Sequence, residues 1–579
     1  MHRVDLQPSA PSSSPGRGAG KLALLVVCAT LAAAGDAALA DDGIAPARAT
    51  AADTETVVVT ATRTAADPFE LPFTTHAVGE ERMSDERSIR SFPDALAEIP
   101  GIYLQRSSYG QASPYLRGFT GFRTLLLIEG IRLNNSVFRE GPNQYWSTVD
   151  PLTVERVEAV LGPGSVLYGS DAIGGTVNAI TRSPDRSTDA PAAAPGAYGR
   201  YASAEGSATL RGELGGAPLA GLGVLGGVSW RDFDDLVAGR GTGELPGTAY
   251  DELDGDAKLV YALRDDLDLV LGWQRVFQDD VPRTHATADA ISFRGTTLGS
   301  DRRRDTDQER QLGYAQARYA PRGEWLHDAT LSLSYQAQSE EEVRVRGSGA
   351  REIQDLDVGT LGLWAQATSP VPYGTLTYGA EWYHDDVQSS FVAQDAAGVP
   401  VGEARRGAVA DDSRYDLVGL YVQDVIPLGE AFETHLGGRW NLAAVDADDV
   451  DPDRGDAIEL GPVDESYSAL VGSLRGVWRV AEGWRLFAGA SQGFRAPTSR
   501  TSLASRSTRR AASSRSRLPT STPRSTCRSR AARATPADGS RHGGPTTTRS
   551  SRASSCASPP AARSMAGRSS ARPTSATGT

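Results

Sequence analysis

The sequence predicts an exported, mainly β protein: a compact α+β unit, then a transmembrane antiparallel β-barrel, then a disordered basic tail. Three observations carry this reading. An export signal opens the chain, period-two alternation of apolar and polar residues runs from about residue 198 to Pro497, and the composition breaks abruptly after Pro497. The 579 residues are 39% hydrophobic and carry a net charge of -13. No run of about 18 apolar residues follows Ala40, which excludes a polytopic helical membrane protein. Three cysteines exclude a disulfide scaffold. The acidic balance argues against nucleic acid as a partner, because phosphate binding needs clustered Lys and Arg.

Residues 1–40 read as a signal peptide. Arg17 and Lys21 precede an apolar run from Leu22 to Ala34, and Ala38-Leu39-Ala40 offers a small-residue cleavage site before Asp41. No cysteine occurs from Asp41 to Pro497, which suits an oxidising compartment. Residues 41–64 form a linker, small and flexible from Ala45 to Ala52. It ends in a β-branched run, Glu55-Thr56-Val57-Val58-Val59-Thr60-Ala61. Two readings of that run stand: the first strand of the next unit, or a strand offered to the edge of a partner's sheet.

Residues 65–185 alternate short helices and strands. Pro93 to Ile99 reads as a short amphipathic helix stopped by Pro100-Gly101, Thr124 to Ile128 as a buried strand turned by Glu129-Gly130, and Val154 to Val160 as a second strand. Glycines at Gly162, Gly164, Gly169, Gly174 and Gly175 punctuate tight turns. A phosphate cradle at Gly162 to Gly164 is not supported, since no Lys-Ser/Thr pair and no long helix follow.

These residues carry a resemblance. Tyr115-Leu116-Arg117-Gly118-Phe119, Leu127 to Asn134 with Glu129-Gly130 at its turn, and Val154 to Thr181 with Gly162-Pro163, Tyr168-Gly169, Gly174-Gly175 and Asn178 resemble the plug domain of TonB-dependent outer-membrane receptors. Glu55 to Ala61 is similar to their TonB box. Two positions depart from the family pattern: Leu161 stands where Arg is usual before Gly-Pro, and Glu129 where Asp is commoner. The first departure removes a plug charge available for pairing with the barrel wall.

Residues 195–497 read as a partial transmembrane barrel. In Thr330 to Gln338 every odd residue is apolar and every even one polar, and Leu269, Leu271 and Trp273 share one face. Segments of roughly ten alternating residues with aromatics near their ends are the mark of such barrels, one face meeting lipid and the other a polar lumen. Asp279 to Asp307, Gln394 to Asp412 and Val445 to Asp464 read as long extracellular loops, and Leu263 to Asp266 as a periplasmic turn. About twelve strands are legible, against about 22 in plugged transporters. A soluble β-sandwich or solenoid also alternates, but here a signal peptide and a plug-like unit precede the strands.

From Thr498 to Thr579 the chain has 16 Arg, 20 Ser, one acidic residue and no Phe, Tyr, Trp, Val or Ile, so the tail carries +15 and the rest -28. With almost nothing apolar to bury it is expected to be disordered. Arg495-Ala496-Pro497 resembles a family motif that continues Asn-Leu-Ser-Asp-Leu. GC-rich codons for that continuation, read one base late, encode Thr498-Ser499-Arg500-Thr501-Ser502. A one-base frameshift after Pro497 explains the tail, and sequencing the gene for strands in another frame tests it. The rival reading is an evolved basic arm for an anionic surface.

No enzyme is legible. The seven histidines lack metal-ligand spacing. Gly489-Ala490-Ser491-Gln492-Gly493 lies in a strand, without the turn-to-helix context of a nucleophile elbow. Asp449, Asp451 and Asp453 lack the Gly and Glu of a calcium loop.

The resemblance instead implies an importer of a scarce ligand of the ferric siderophore, haem or cobalamin class, without cofactor or metal of its own. Its partners are the TonB energy transducer with its inner-membrane complex, the ligand and outer-membrane lipid. Arg106, Tyr109 and Gln111 on one plug apex, and Arg139, Tyr145 and Trp146 on another, are the candidate ligand contacts, because cationic and aromatic groups suit an anionic or catecholate chelate. Tyr145 and Trp146 packing the plug against the barrel is the plainer alternative. The 14 residues from Asp41 to Thr54 leave no room for a further periplasmic signalling domain. An adhesive barrel, or a truncated receptor without function, are the other readings.

Overall fold

The computed structural model describes residues 60–64, 66–186, 191–239, 243–284, 287–288, 298–401, 407, 409–449, 462–498 and 526–533. Two strand systems follow one another along the chain. The first contains β1 (Thr74–Gly79), β2 (Ile102–Arg106), β3 (Ala112–Leu116), β4 (Leu125–Ile128), β5 (Ile131–Arg132), β6 (Val154–Leu161) and β7 (Gly175–Thr181). Five of these make a sheet in the order β1-β6-β7-β4-β5, with β4 and β7 parallel and the other pairs antiparallel, while β2 and β3 form a separate hairpin.

Local chemistry explains most of this unit. The four apolar residues of β4 are all buried. Glu129 and Gly130 both take positive φ, 52° and 78°, as the tight turn into β5 requires. Pro93 to Ile99 is not an α-helix. The segment is a 3-10 helix, Phe92–Leu96, whose first turn is tied down by the Asp94 carboxylate accepting from the Arg90 N–H at 3.1 Å. Proline at its start and Pro100-Gly101 behind it leave no length for regular α-helical bonds. One four-residue helical turn, α1 (Ser165–Tyr168), follows Gly162-Pro163-Gly164.

The second system is one antiparallel sheet of fourteen strands. It begins with β8 (Ala192–Ala202), β9 (Ser207–Leu219) and β10 (Leu222–Phe233); a small hairpin of β11 (Leu236–Ala238) and β12 (Gly243–Leu245) caps the next connection. The wall continues through β13 (Tyr250–Arg264), β14 (Leu267–Pro282), β15 (Asp301–Tyr319), β16 (Asp328–Arg346), β17 (Arg351–Val371) and β18 (Gly374–Gln394). It ends with β19 (Asp411–Leu428), β20 (Phe432–Asp449), β21 (Val463–Ala481), β22 (Trp484–Gly493) and β23 (Thr526–Arg533). Among the described residues, β8 and β23 are each paired on one side only. Contrary to the expectation of disorder throughout the tail, Thr526–Arg533 is a strand, because its backbone pairs with the open edge of β22 without needing apolar side chains. The rest of residues 498–579 lies outside the described residues, as do the signal peptide and the linker as far as Val59.

The wall is inside-out relative to a water-soluble protein. On β16, Leu331, Leu333 and Tyr335 point outward and are more than half exposed, whereas Ser332, Ser334 and Gln336 face inward and are buried. The legible alternation therefore has its apolar face outward, toward lipid. Most wall strands are longer than the roughly ten residues a bilayer needs. β17 and β18 have 21 residues each, because alternation continues in charged form above the apolar band. For the same reason the acidic stretches near 279 and 301 are strand rather than loop, and the connection between β14 and β15 is shorter than Asp279 to Asp307. The strand from Ala192 begins ahead of the alternating region; its Ala, Pro and Gly content hid it.

Candidate functional site

The candidate site is the seam between the N-terminal unit and the inner face of the wall, from the tether at one end to the apices at the other. Of the box-like segment, Glu55, Thr56, Val57, Val58 and Val59 lie outside the described residues; Thr60 and Ala61 are described, and both are buried. They are held rather than offered. Thr60 donates to Glu158 Oε2 on β6 through its N–H (2.8 Å) and its hydroxyl (2.7 Å), and the Tyr168 hydroxyl donates back to the Thr60 carbonyl at 2.8 Å.

Arg63 bolts the next turn to the wall. Its guanidinium lies 4.3 Å from the Tyr168 ring centre and 4.7 Å from that of Tyr421, donates to the Tyr421 hydroxyl at 3.0 Å, and pairs with Glu381 at 3.4 Å. Arg439 pairs with the other oxygen of Glu381 and packs against Gly169. Gly169 has φ 69° and ψ -139°, and a Cβ there would stand 2.6 Å from the Arg439 guanidinium, so only glycine fits. Further along, Glu70 takes Arg479 at 2.9 Å and also pairs with Arg485.

Two more anchors hold the unit. Glu129 receives Lys258 of β13 at 2.9 Å, Arg318 of β15 at 2.8 Å, and both the N–H (2.8 Å) and hydroxyl (2.6 Å) of Thr181. Burial on its own would push its carboxyl up. The charges of Lys258 and Arg318 and the hydrogen bonds from Thr181 and Lys258 overcome that and hold it at about 2. Asp150 pairs with Arg231, lies 3.5 Å from Arg211, and accepts from the Ser229 hydroxyl at 2.7 Å. There too burial works upward, while Arg231 and Arg211 pull the carboxyl below its ordinary value. The missing charge at Leu161 is thus no loss of anchoring. Leu161 packs in the main apolar core, and Arg475 of β21 reaches the neighbouring Pro163 carbonyl at 2.8 Å.

Other motif residues serve backbone geometry. Arg117 and Gly118 turn the chain at φ 51° and 83°, and Arg117 donates to the Thr74 hydroxyl at 2.8 Å. Gly174 and Gly175 sit so close to the Leu116 and Val160 carbonyls that a Cβ would meet either at 2.7 Å. The Asn178 side chain accepts from the Gly130 N–H at 3.1 Å.

The two apices come together. The Ser147 hydroxyl bridges from the Ala112 N–H (3.4 Å) to the Tyr109 carbonyl (3.5 Å), and Asn143 N–H reaches the Ser113 hydroxyl at 3.2 Å. Tyr109 lies between Arg90 and Arg106, 5.5 and 5.6 Å from its ring centre, with Phe233 of the wall 5.6 Å away. Arg106 pairs with Asp94. Arg139 donates to Gln144 and stands 5.9 Å from the Tyr145 ring centre. Tyr145 and Trp146 are 2% and 1% exposed and belong to the main apolar core, so they pack the unit rather than face a ligand. Sequence reading also missed Arg283, Arg304, Glu340 and Glu342 at the mouth; only their position at strand ends beside long connections could have marked them.

Residues 67–176 match the family model of the TonB-dependent receptor plug domain, and residues 254–545 that of the TonB-dependent receptor-like β-barrel. The chain belongs to the TonB-dependent receptors. The plug is the N-terminal unit, the wall is its outer-membrane β-barrel, and the family is one of transport receptors rather than enzymes. The iron-regulated outer membrane virulence protein of Vibrio cholerae serotype O1 (El Tor Inaba N16961) is 26% identical over 452 residues, covering 76% of this chain and 60% of that protein. The chain therefore spans about three fifths of that relative's length. The vitamin B12 transporter BtuB of Vibrio vulnificus is 36% identical over 135 residues, 23% of this chain and 22% of its own. Among solved structures, the unliganded ferric citrate transporter FecA superposes with a TM-score of 0.60 at 17% identity, covering 76% of this chain and 66% of its own. The copper transporter OprC gives 0.58 at 16% identity, covering 73% and 64%. At these identities the structural likeness establishes the fold alone.

Proposed function

We propose that this chain is the receptor of an energy-coupled importer, which takes a scarce ligand of the ferric siderophore, haem or cobalamin class from outside the cell. The observation that carries the reading is the double attachment of the tether: Thr60 is bonded to the plug through Glu158, and Arg63 to the wall through Glu381 and Tyr421. A segment fixed at both places transmits tension to both. Glu55 to Ala61 is the TonB box. Ligand at the Arg106, Tyr109, Gln111 and Arg139 apices favours the plug state in which this box is released to the periplasm, a population shift driven by differential affinity. TonB then pairs with the freed strand through backbone hydrogen bonds. The outer membrane has no ATP, so the work comes from the inner-membrane proton gradient through that tether.

The test is deletion of Glu55 to Ala61 in cells that depend on this receptor for iron. Uptake of radiolabelled iron chelate should vanish while surface binding is kept; uptake that persists overturns the reading and favours an adhesive or passive barrel.

A further inference from the structure

The mouth of the wall holds a knot of charge in which plug and barrel share carboxylates. Arg283, one residue past β14, donates to Glu342 Oε2 at 2.8 Å, and Arg304 of β15 reaches both Glu342 oxygens at 2.9 and 3.1 Å. Two residues nearer the membrane on β16, Glu340 accepts from plug Gln144 at 2.8 Å, and Gln144 in turn accepts from Arg139. Two guanidinium groups thus meet the Glu342 carboxylate, and a third, Arg139, is linked to Glu340 through the Gln144 amide.

Hydrogen-bonding capacity is left over in the same region. Arg139 Nε, Arg304 Nε, Gln111 Nε2 and both amide atoms of Asn143 are buried without a partner among the described residues, and Asn143 is only 4% exposed. A buried polar atom left unpaired forfeits the hydration it had in water and gains nothing in return. Four of these five atoms are donors, so the mouth carries more hydrogen-bond donors than the plug and wall supply acceptors for. Guanidinium forks match planar, paired oxygen acceptors, whereas an amine would serve any compact anion.

We propose that Glu340 and Glu342 act as internal stand-ins for the anionic groups of the cargo. An anionic metal chelate bearing carboxylate or catecholate oxygens displaces Glu342 from Arg283 and Arg304, takes the free Arg139 donor, and draws Gln144 off Glu340, so detaching it from the wall. This deepens the receptor reading and rests on it. The displacement has a route inward. Gln144 adjoins Tyr145 and Trp146, which share one apolar core with Val157 and Ala159, the neighbours of Glu158 on β6. Glu158 is the residue that holds Thr60. Occupancy at the mouth and release of the tether are joined through side chains in contact with a common core.

The test uses the full chain in detergent, titrated by tryptophan fluorescence with two iron probes of similar size, an anionic ferric tris-catecholate and a neutral ferric tris-hydroxamate. The wild type should bind the anionic probe at least tenfold more tightly. R283A/R304A should lose that preference, and E342Q, which lacks the competing charge yet keeps side-chain volume, should bind the anionic probe about tenfold more tightly than wild type. Circular dichroism confirms the sheet in each variant. Equal affinity for both probes, binding of neither, or an E342Q variant no tighter than wild type overturns the assignment. Failure of the receptor reading is distinct: charge-selective binding would stand while uptake ignored deletion of Glu55 to Ala61.

Discussion

The Arg63 guanidinium sits 4.3 Å above the ring of Tyr168, so the residue two places after Ala61 is clamped to the plug by an aromatic face and to the wall by the Glu381 carboxylate. The chain cannot be drawn toward the periplasm beyond Ala61 without breaking that clamp.

Arg63→Ala should loosen the tether without unfolding the barrel. Breaking a buried ion pair costs about 3–5 kcal/mol, and the lower end applies because Glu381 keeps Arg439. Limited proteolysis of purified receptor should cut near residue 60 at least tenfold faster than in wild type, with the wall strands equally resistant.

Acid should weaken plug docking in a defined window. Glu129 titrates at about 2 in the folded protein against an ordinary value of 4.5. Its contribution is complete above about pH 4.5 and disappears as pH falls toward 2, because protonation then costs nothing more in the folded than in the unfolded state. By linkage the full effect is of order 3 kcal/mol. Urea-induced release of the plug should grow easier over that window in wild type, and Glu129→Gln should be weaker at neutral pH and flat across it.

Gly169→Ala should destabilise the plug–wall seam by about 2 kcal/mol, since a side chain is strained in that backbone conformation and its Cβ meets the Arg439 guanidinium. A drop in the plug's thermal transition measured by calorimetry, larger than that of Gly118→Ala, whose Cβ would meet nothing within 4 Å, checks it.

Leu333→Arg places a charge on the outward face of β16 and should cost about 2–4 kcal/mol of insertion if the site is near the bilayer midplane. Ser334→Thr, one residue on and facing inward, should be neutral. Heat-modifiable migration of membrane fractions on gels separates the two.

Much of the wall was legible in the sequence because period-two alternation is local: each strand states its own two faces. Thr330 to Gln338 is strand over its whole length, and two-residue turns such as Asp265-Asp266 follow from composition. The plug's motifs were legible through glycines whose backbone angles or close approaches need them. The seam was not. Arg63 and Glu381 are 318 positions apart, and Lys258 and Glu129 are 129 apart, so nothing local marks either pair. Tyr145 and Trp146 misled for a related reason: beside Arg139 they carry the composition of a binding loop, and only the three-dimensional packing shows that their rings turn inward.

The surfaces that meet between plug and wall alternate ionic and hydrogen-bonded pairs with small apolar patches, such as Val137 against Leu356, Val358 and Val387 of the wall. Each polar bond in such a joint can be exchanged for one to water as the plug shifts, while the separate apolar patches oppose its withdrawal one by one. The cylinder is lubricated by its own chemistry, and what resists motion is a short series of separate catches rather than one adhesive whole.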